Sequence, residues 1–283
     1  MRATRRRRRI GMVVLHLSVV VVLVVITYPS VWMLLSSFKP SNQIVAQVNP
    51  WPAEWTLANY ERAFSGIGGV SFWTFVQNSF VLAVASVIGT VLSSAVTAYA
   101  FTRISFPGRR IWFGIMIATM LLPFHVVIIP QYIMFNALGL VNTFVPLLIG
   151  KFLAADAFFV FLMVQFLRTV PTELDEAARM DGAGHLRIFG SIMLPLLRPA
   201  LVTSAIFSFI WTWNDFLGPL LYLKRPALYP LPIALRQYID ETSQSDYGAQ
   251  IAMAVLALVP VVIFFAIFQR YIVDGVATQG LKG

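Results

Sequence analysis

The sequence predicts an all-α, polytopic membrane protein with six transmembrane helices and both termini in the cytoplasm. Three observations lead there: composition, long apolar windows and an uneven placing of basic residues. Of the 283 residues, 58% are apolar and only 12% charged, about half the charged share of an ordinary soluble domain. The apolar residues gather into long, nearly charge-free windows at 10–35, 72–101, 111–135, 144–167, 200–222 and 249–269, each of about the 20 residues that a helix needs to cross the hydrocarbon. Fifteen of the 21 Lys and Arg fall at the two termini or after spans two and four, five (Lys39, Arg62, Lys224, Arg225 and Arg236) fall in the other loops, and Lys151 lies inside a span. The positive-inside rule therefore puts the termini in the cytoplasm.

The net charge of +9 is largely Arg2 and Arg5 to Arg9 beside the first span, so it reads as a topology signal and not as a nucleic-acid partner. That span runs on through Tyr28-Pro29 to Leu35 with no small-residue cleavage site, and the expectation is that it stays as an anchor. The absence of Cys excludes disulfides, thiolate chemistry and Cys-held metals. The outer segment 38–71 holds Pro50-Trp51-Pro52 and Trp55, which suits a partly ordered surface near the interface. In span two, Ala85, Gly89, Ser93 and Thr97 recur on one face, where small residues let backbones approach closely, inside the chain or at a subunit interface. Pro123 and Pro130 in span three remove backbone hydrogen bonds, which is tolerated where protein or a water-filled path resatisfies the carbonyls.

Span four carries Lys151 and Asp156, and span five carries Trp211, Trp213, Asn214 and Asp215. Intramembrane charges are costly and usually face a cavity. At ~1.5 Å per residue, Asp156, Asp215 and Lys151 lie about 17, 22 and 24 Å above the inner ends of their spans. These six residues are the candidate substrate path, with rings for stacking and carboxylates to accept hydroxyl hydrogens. They also suit structural roles: Lys151 snorkelling to the interface, the tryptophans in the aromatic belt, Asp215 joining two helices. Five positions turn an ideal helix by about 140°, so no direct Lys151–Asp156 pair is expected. The outer segment 223–248 has Pro226, Pro230 and Pro232, then Asp240, Glu241 and Asp246. No repeat or linker divides residues 1–283, which read as a single membrane domain.

The loop at about 168–199 reads as two short amphipathic helices joined at a glycine. Thr172 is placed as an N-cap, with Asp175 three residues on and Glu173 and Glu176 in the first turn. Gly182 stops that helix. A second run places Leu186, Phe189 and Met193 on one stripe and ends at Leu194-Pro195. Ala177 and Ala178 make the first helix narrow enough to enter a groove on another protein.

Glu176-Ala177-Ala178, then Gly182, then Ile192-Met193-Leu194-Pro195 resembles the EAA loop of binding-protein-dependent ABC importer permeases. Ser37-Phe38-Lys39-Pro40, Trp213-Asn214-Asp215-Phe216 and the tail Gln269-Arg270-Tyr271 to Gly280-Leu281-Lys282-Gly283 extend the resemblance to the carbohydrate-uptake branch, specifically the shorter permease of maltose-type transporters. The tail has Val276-Ala277-Thr278-Gln279 where that family more often has a Leu-Thr-Ala-Gly-like stretch. The resemblance implies a sugar importer in the cytoplasmic (inner) membrane of a bacterium or archaeon. It implies as partners a second permease subunit, two ATP-binding subunits and an extracytoplasmic solute-binding protein. It further implies that Glu176, Ala177, Ala178, Asp181, Gly182, Ile192, Leu194 and Pro195 couple this chain to the ATPase, with ATP and Mg held by the partner subunits.

The residues themselves supply no catalytic, cofactor or metal site. Gly150-Lys151 is followed by Phe152, and Val145 stands where a P-loop needs glycine. His16 and His125 are isolated in apolar spans, and His185 lies in the loop. Two rival readings remain: an ABC permease for a glycerol-phosphate-type solute, and a proton-coupled secondary transporter with Asp156 and Lys151 as relay.

Overall fold

The computed structural model describes residues 2–46, 49–239 and 246–280. They are all-α, with helices α1 (Arg2–Ser36), α2 (Ser41–Ala46), α3 (Ala58–Ser65), α4 (Phe72–Arg103), α5 (Arg109–Thr119), α6 (Phe124–Ala137), α7 (Val145–Phe152), α8 (Ala157–Arg168), α9 (Glu173–Met180), α10 (His185–Ile188), α11 (Leu194–Leu196), α12 (Arg198–Trp213), α13 (Leu217–Tyr222), α14 (Leu231–Arg236) and α15 (Tyr247–Gly280). A π-turn, Phe189–Met193, joins α10 to α11.

Among the described residues four segments are long and apolar enough to cross a membrane: Gly11–Ser36, Phe72–Arg103, Val145–Arg168 and Tyr247–Gln269. A fifth arises if the bent pair His185–Leu196 and Arg198–Trp213, turned by 74°, is one span. The window 111–135 is not a continuous helix. Pro123 stands in extended geometry at ψ 130° before α6, and a proline both lacks an N–H and disfavours helix in the residue before it. Hydropathy does not register that break. Pro29, Pro130 and Pro260, by contrast, sit inside continuous helices.

The contacts divide the chain into two compact units, 1–72 with 235–259, and 73–234 with 260–283. In the first, Asn59 is buried and donates to the carbonyls of Ser37 (2.8 Å) and Lys39 (2.7 Å). The Ser37 hydroxyl meets the Tyr60 hydroxyl at 2.7 Å, and Phe38 packs on Trp55 and Tyr60. Lys39 is wholly buried, donating to the Asn49 carbonyl. The Ser-Phe-Lys-Pro stretch is thus a turn fastened by Asn59. A Cβ on Gly248 would lie 2.2 Å from the Asn59 amide oxygen, so the start of α15 can approach only because that residue is glycine.

The second unit holds its core around Ala95, Ala98, Tyr99, Val160, Met163, Val164, Leu167, Ile188, Met193 and Leu197. The small-residue stripe of α4 meets the α7 end: Phe152 fills the space beside Gly89, and Ser93 donates to the Lys151 carbonyl at 2.7 Å. That carbonyl needs a partner because the helix stops there. Asn78 and Ser79 pin the 227–231 backbone, and Asn142 accepts from the Lys224 and Arg225 amides.

Candidate functional site

Residues 168–199 fold as a helix, a glycine turn and a second helix. The Thr172 carbonyl accepts from the Asp175 and Glu176 amides, but its side chain makes no cap. The expected capping role of Asp175 also fails, because Asp175 is buried and pairs with Arg103 at 2.9 Å, the two side chains being 4% and 6% exposed. The contact rests on charge and not on a directed hydrogen bond. Arg103 further donates to the carbonyls of Leu167 (3.2 Å) and Val170 (2.6 Å). One guanidinium thereby joins the ends of α4 and α8 to the first turn of α9.

Gly182, at φ 77°, ends α9. The Ala183 amide reaches the Ala178 carbonyl (2.9 Å) and the Gly182 amide reaches the Arg179 carbonyl (2.9 Å), the pair of bonds of a Schellman end. The second helix runs through Pro195 to Leu196 instead of stopping at Leu194-Pro195. The π-turn bonds each amide one residue further back than an α-helix does, and a proline without an N–H follows it at little cost. The same turn resets the buried stripe to Ile188, Met193 and Leu197. Leu186, expected on that stripe, is 89% exposed.

The predicted coupling residues divide between surface and core. Glu176, Ala177, Asp181, Gly182 and Pro195 are exposed, and Ile192 and Leu194 half-buried. Ala178 is buried in this chain's own core, so the two alanines do not make one outward face. The outward surface is instead Glu176, Ala177, Asp181 and the exposed apolar Leu174, Met180 and Leu186. His185 is exposed, and its ring nitrogen lies 3.3 Å from the Tyr99 hydroxyl. Sequence reasoning placed Asp175 in the first turn of this loop but missed its pairing with Arg103, and it missed Tyr99 as a neighbour of His185. Its one signal was an arginine closing an apolar helix and an acid opening the next amphipathic one.

At membrane depth the structure brings the charged residues together. Lys151 and Asp156 do pair, at 2.6 Å, against the ideal-helix expectation. The span breaks between them, with Ala154 at φ 54°, and a break resets the angle that a continuous helix would impose. Asp215 accepts from the Gly218 amide at 3.1 Å, capping the first turn of α13, and Lys151 acts electrostatically on it. Trp211 is 47% exposed and packs on Phe158 and Phe159, next to Asp156. Trp213 does not join them: it is buried, stacked on Phe209 and edge-on to Phe80. Asn214 is exposed, with its amide turned back to the Ile210 carbonyl. Irregular backbone at membrane depth is tolerated where it lies in protein or lines a water-filled cavity.

Near α3 and the start of α15, Arg62 pairs with Asp246 at 2.5 Å, and Ser41 joins them. Burial works against the Asp246 charge, yet the hydrogen bonds from Arg62, the Ala249 amide and Ser41 outweigh it and hold the carboxyl below its ordinary range. Burial, with Asp246 nearby, pushes the Tyr238 hydroxyl up to about 12. Asp240 and Glu241 of the acidic stretch and tail residues 281–283 lie outside the described residues, as do the side chains of 270–280. Among the described residues no three His, Asp or Glu converge as a metal site would require.

The sequence pattern described as "Binding-protein-dependent transport system inner membrane component" matches residues 85–278. The chain belongs to this family. It is 32% identical over 263 residues to the diacetylchitobiose uptake system permease protein NgcG of Streptomyces coelicolor, covering 93% of this chain and 86% of that one. To the sn-glycerol-3-phosphate transport system permease protein UgpE of Agrobacterium fabrum it is 33% identical over 274 residues, covering 95% and 96%. A crystal structure of a bacterial ABC transporter involved in the import of the acidic polysaccharide alginate has a chain that superposes with a TM-score of 0.81 at 25% identity, covering 93% of this chain and 96% of that one. The protein is therefore a multi-pass membrane permease component of an ABC-type sugar or solute importer, in its carbohydrate-uptake branch, and a transport component without catalysis of its own. That membership displaces the secondary-transporter reading.

Proposed function

We propose that this chain corresponds to the shorter permease of maltose-type importers, forms half of a sugar path, and couples that path to separate ATPase subunits through the 168–199 segment. The proposed assembly has a second permease, two ATP-binding subunits carrying ATP and Mg, and an extracytoplasmic solute-binding protein. The whole chain acts as one membrane domain with six crossings, α5 and α6 together making the third, and with cytoplasmic termini. The observation that carries the coupling reading is the contrast within α9. Asp175 and Ala178 anchor the helix inward, which leaves Glu176, Ala177 and Met180 outward for a partner cleft. Helix-in-groove contacts use such short apolar anchors.

The sugar reading over the glycerol-phosphate one rests on charge. Lys151 is neutralised by Asp156, and Asp215 adds a further carboxylate. Carboxylates accept hydrogen bonds from sugar hydroxyls and repel a phosphate.

The deciding experiment is Glu176→Lys in the assembled importer. Expected are intact insertion and pairing with the second permease, and an ATPase no longer stimulated by loaded binding protein. Normal stimulated hydrolysis and uptake would reject the coupling reading. Sidedness is tested in a chain with no native Cys: Ala53→Cys should react with an impermeant reagent from outside intact cells, and Leu186→Cys should not.

A further inference from the structure

Arg103 and Arg168 are the last residues of the spans Phe72–Arg103 and Val145–Arg168, and Arg109 and Arg110 open α5. The ends of apolar spans lie where hydrocarbon gives way to lipid headgroups. These four arginines line one open-sided cavity of about 540 Å³, with Phe101, Phe113, Val170 and Pro171 as its apolar walls. Asp175 compensates Arg103. Among the described residues, Arg109, Arg110 and Arg168 have no carboxylate within ion-pair distance, and Glu173 is the single acid lining the cavity. The Arg168 guanidinium lies 5.1 Å from the centre of the Phe113 ring. Stacking of that kind leaves the N–H edges of a guanidinium free to bind an anion. Arg109 spends one N–H on the Ile104 carbonyl at 3.2 Å and keeps the rest.

Three like charges lining one cavity repel one another, and an anion entering it would relieve that repulsion. Forked guanidiniums suit a phosphate bidentately. Thr102, Thr169 and Thr172 share the lining with the four apolar residues, so a glycerol backbone would meet both hydroxyls and apolar contact. What distinguishes the cavity from a site for a free ion is that α5, which opens at Arg109 and Arg110, exposes Ile111, Trp112 and Ile115 as acyl-chain surface. We propose that this cavity binds the phosphate headgroup of an anionic phospholipid such as phosphatidylglycerol. Because Arg103 and Glu173 line the cavity and Arg103 also holds Asp175, the bound headgroup would lie against the first turn of α9.

The test is lipid retention by the importer complex purified through this chain, read by native mass spectrometry after titration with phosphatidylglycerol or phosphatidylcholine. Wild type should prefer phosphatidylglycerol by roughly tenfold or more, and the double variant Arg110→Gln/Arg168→Gln should lose that preference. Arg110→Lys/Arg168→Lys should keep much of it. Equal retention of the two lipids, or an unchanged preference in the glutamine variant, overturns the proposal. Displacement of the lipid by millimolar inorganic phosphate overturns it too, since the site would then belong to a soluble anion. If the double variant does not fold, Arg110→Gln alone, at an exposed side chain, decides through a preference lowered roughly threefold to fivefold.

Discussion

Arg103–Asp175 and Arg62–Asp246 join the same side-chain types at 2.9 Å and 2.5 Å, yet the first pair is 6% and 4% exposed and the second 44% and 30%. Distance therefore says little about what each pair does. Around Arg103 little solvent reaches the pair, whose side chains are 6% and 4% exposed, and the guanidinium also holds two carbonyls at the end of α8. Around Arg62 solvent competes, and Ser41 and Asn59 share the work. The buried pair is a fixed joint under the proposed coupling helix, whereas the exposed pair is one strand of a polar net that tolerates loss.

Breaking the buried pair should give the largest effect. Asp175→Ala leaves the Arg103 charge buried and uncompensated, a loss of about 3–5 kcal/mol. Replacing both partners with apolar residues, as in Arg103→Leu/Asp175→Leu, removes both charges and should recover part of the stability in thermal unfolding of the purified chain, short of the hydrogen bonds that Arg103 gives the Leu167 and Val170 carbonyls. A loss under about 1 kcal/mol for Asp175→Ala would place the pair with the solvated class and erase the distinction from Arg62–Asp246.

That pair also marks where sequence reading stopped. Gly182 was legible, because a glycine after an amphipathic run is a local signal, and its φ of 77° is what such a helix end needs. The apolar segments were legible from hydropathy. Arg103 and Asp175 are 72 positions apart, and nothing in either neighbourhood names the other. The break at Ala154 was missed for a different reason. Hydropathy counts apolar residues and is blind to backbone direction, so Lys151 and Asp156 read as facing apart, and the window at 111–135 read as one span even with the hydrogen bonds lost at Pro123 and Pro130 noted. Trp213 could not be told apart from Trp211 in the sequence, because an aromatic in an apolar span looks the same whether it is exposed or, as here, buried and stacked on Phe209.

An intermediate effect should come from separating the two alanines. Ala178 packs against the core that holds Tyr99, Leu167 and Ile188, so Ala178→Trp overpacks this chain itself and costs about 1–3 kcal/mol or more. Ala177→Trp points outward and should leave the unfolding free energy within about 0.5 kcal/mol of wild type while disturbing the proposed ATPase contact. Equal destabilisation by both would mean that α9 is oriented differently about its axis.

The smallest effect belongs to Asp246, and it separates into two parts. The carboxylate pairs with Arg62, and it also accepts from the Ala249 amide at 3.0 Å, the geometry of an N-cap on α15. Asparagine caps as well as aspartate does, so Asp246→Asn removes only the ion pair, worth at most about 1 kcal/mol at this exposure and less in high salt. Asp246→Ala removes the cap as well and should cost about 0.5–2 kcal/mol more. The pH dependence carries a sign. The folded carboxyl is held below its ordinary range, so its stabilisation is present above the unfolded value of about 3.9 and is lost as pH falls through the lower folded value. Unfolding followed by the fluorescence of Trp51 and Trp55 should show that acid loss in the wild type and a flatter profile in Asp246→Asn. If Asp246→Asn instead destabilises as much as Asp175→Ala, exposure is not what sets the two pairs apart, and the Arg62–Asp246 net is as rigid a joint as the buried one.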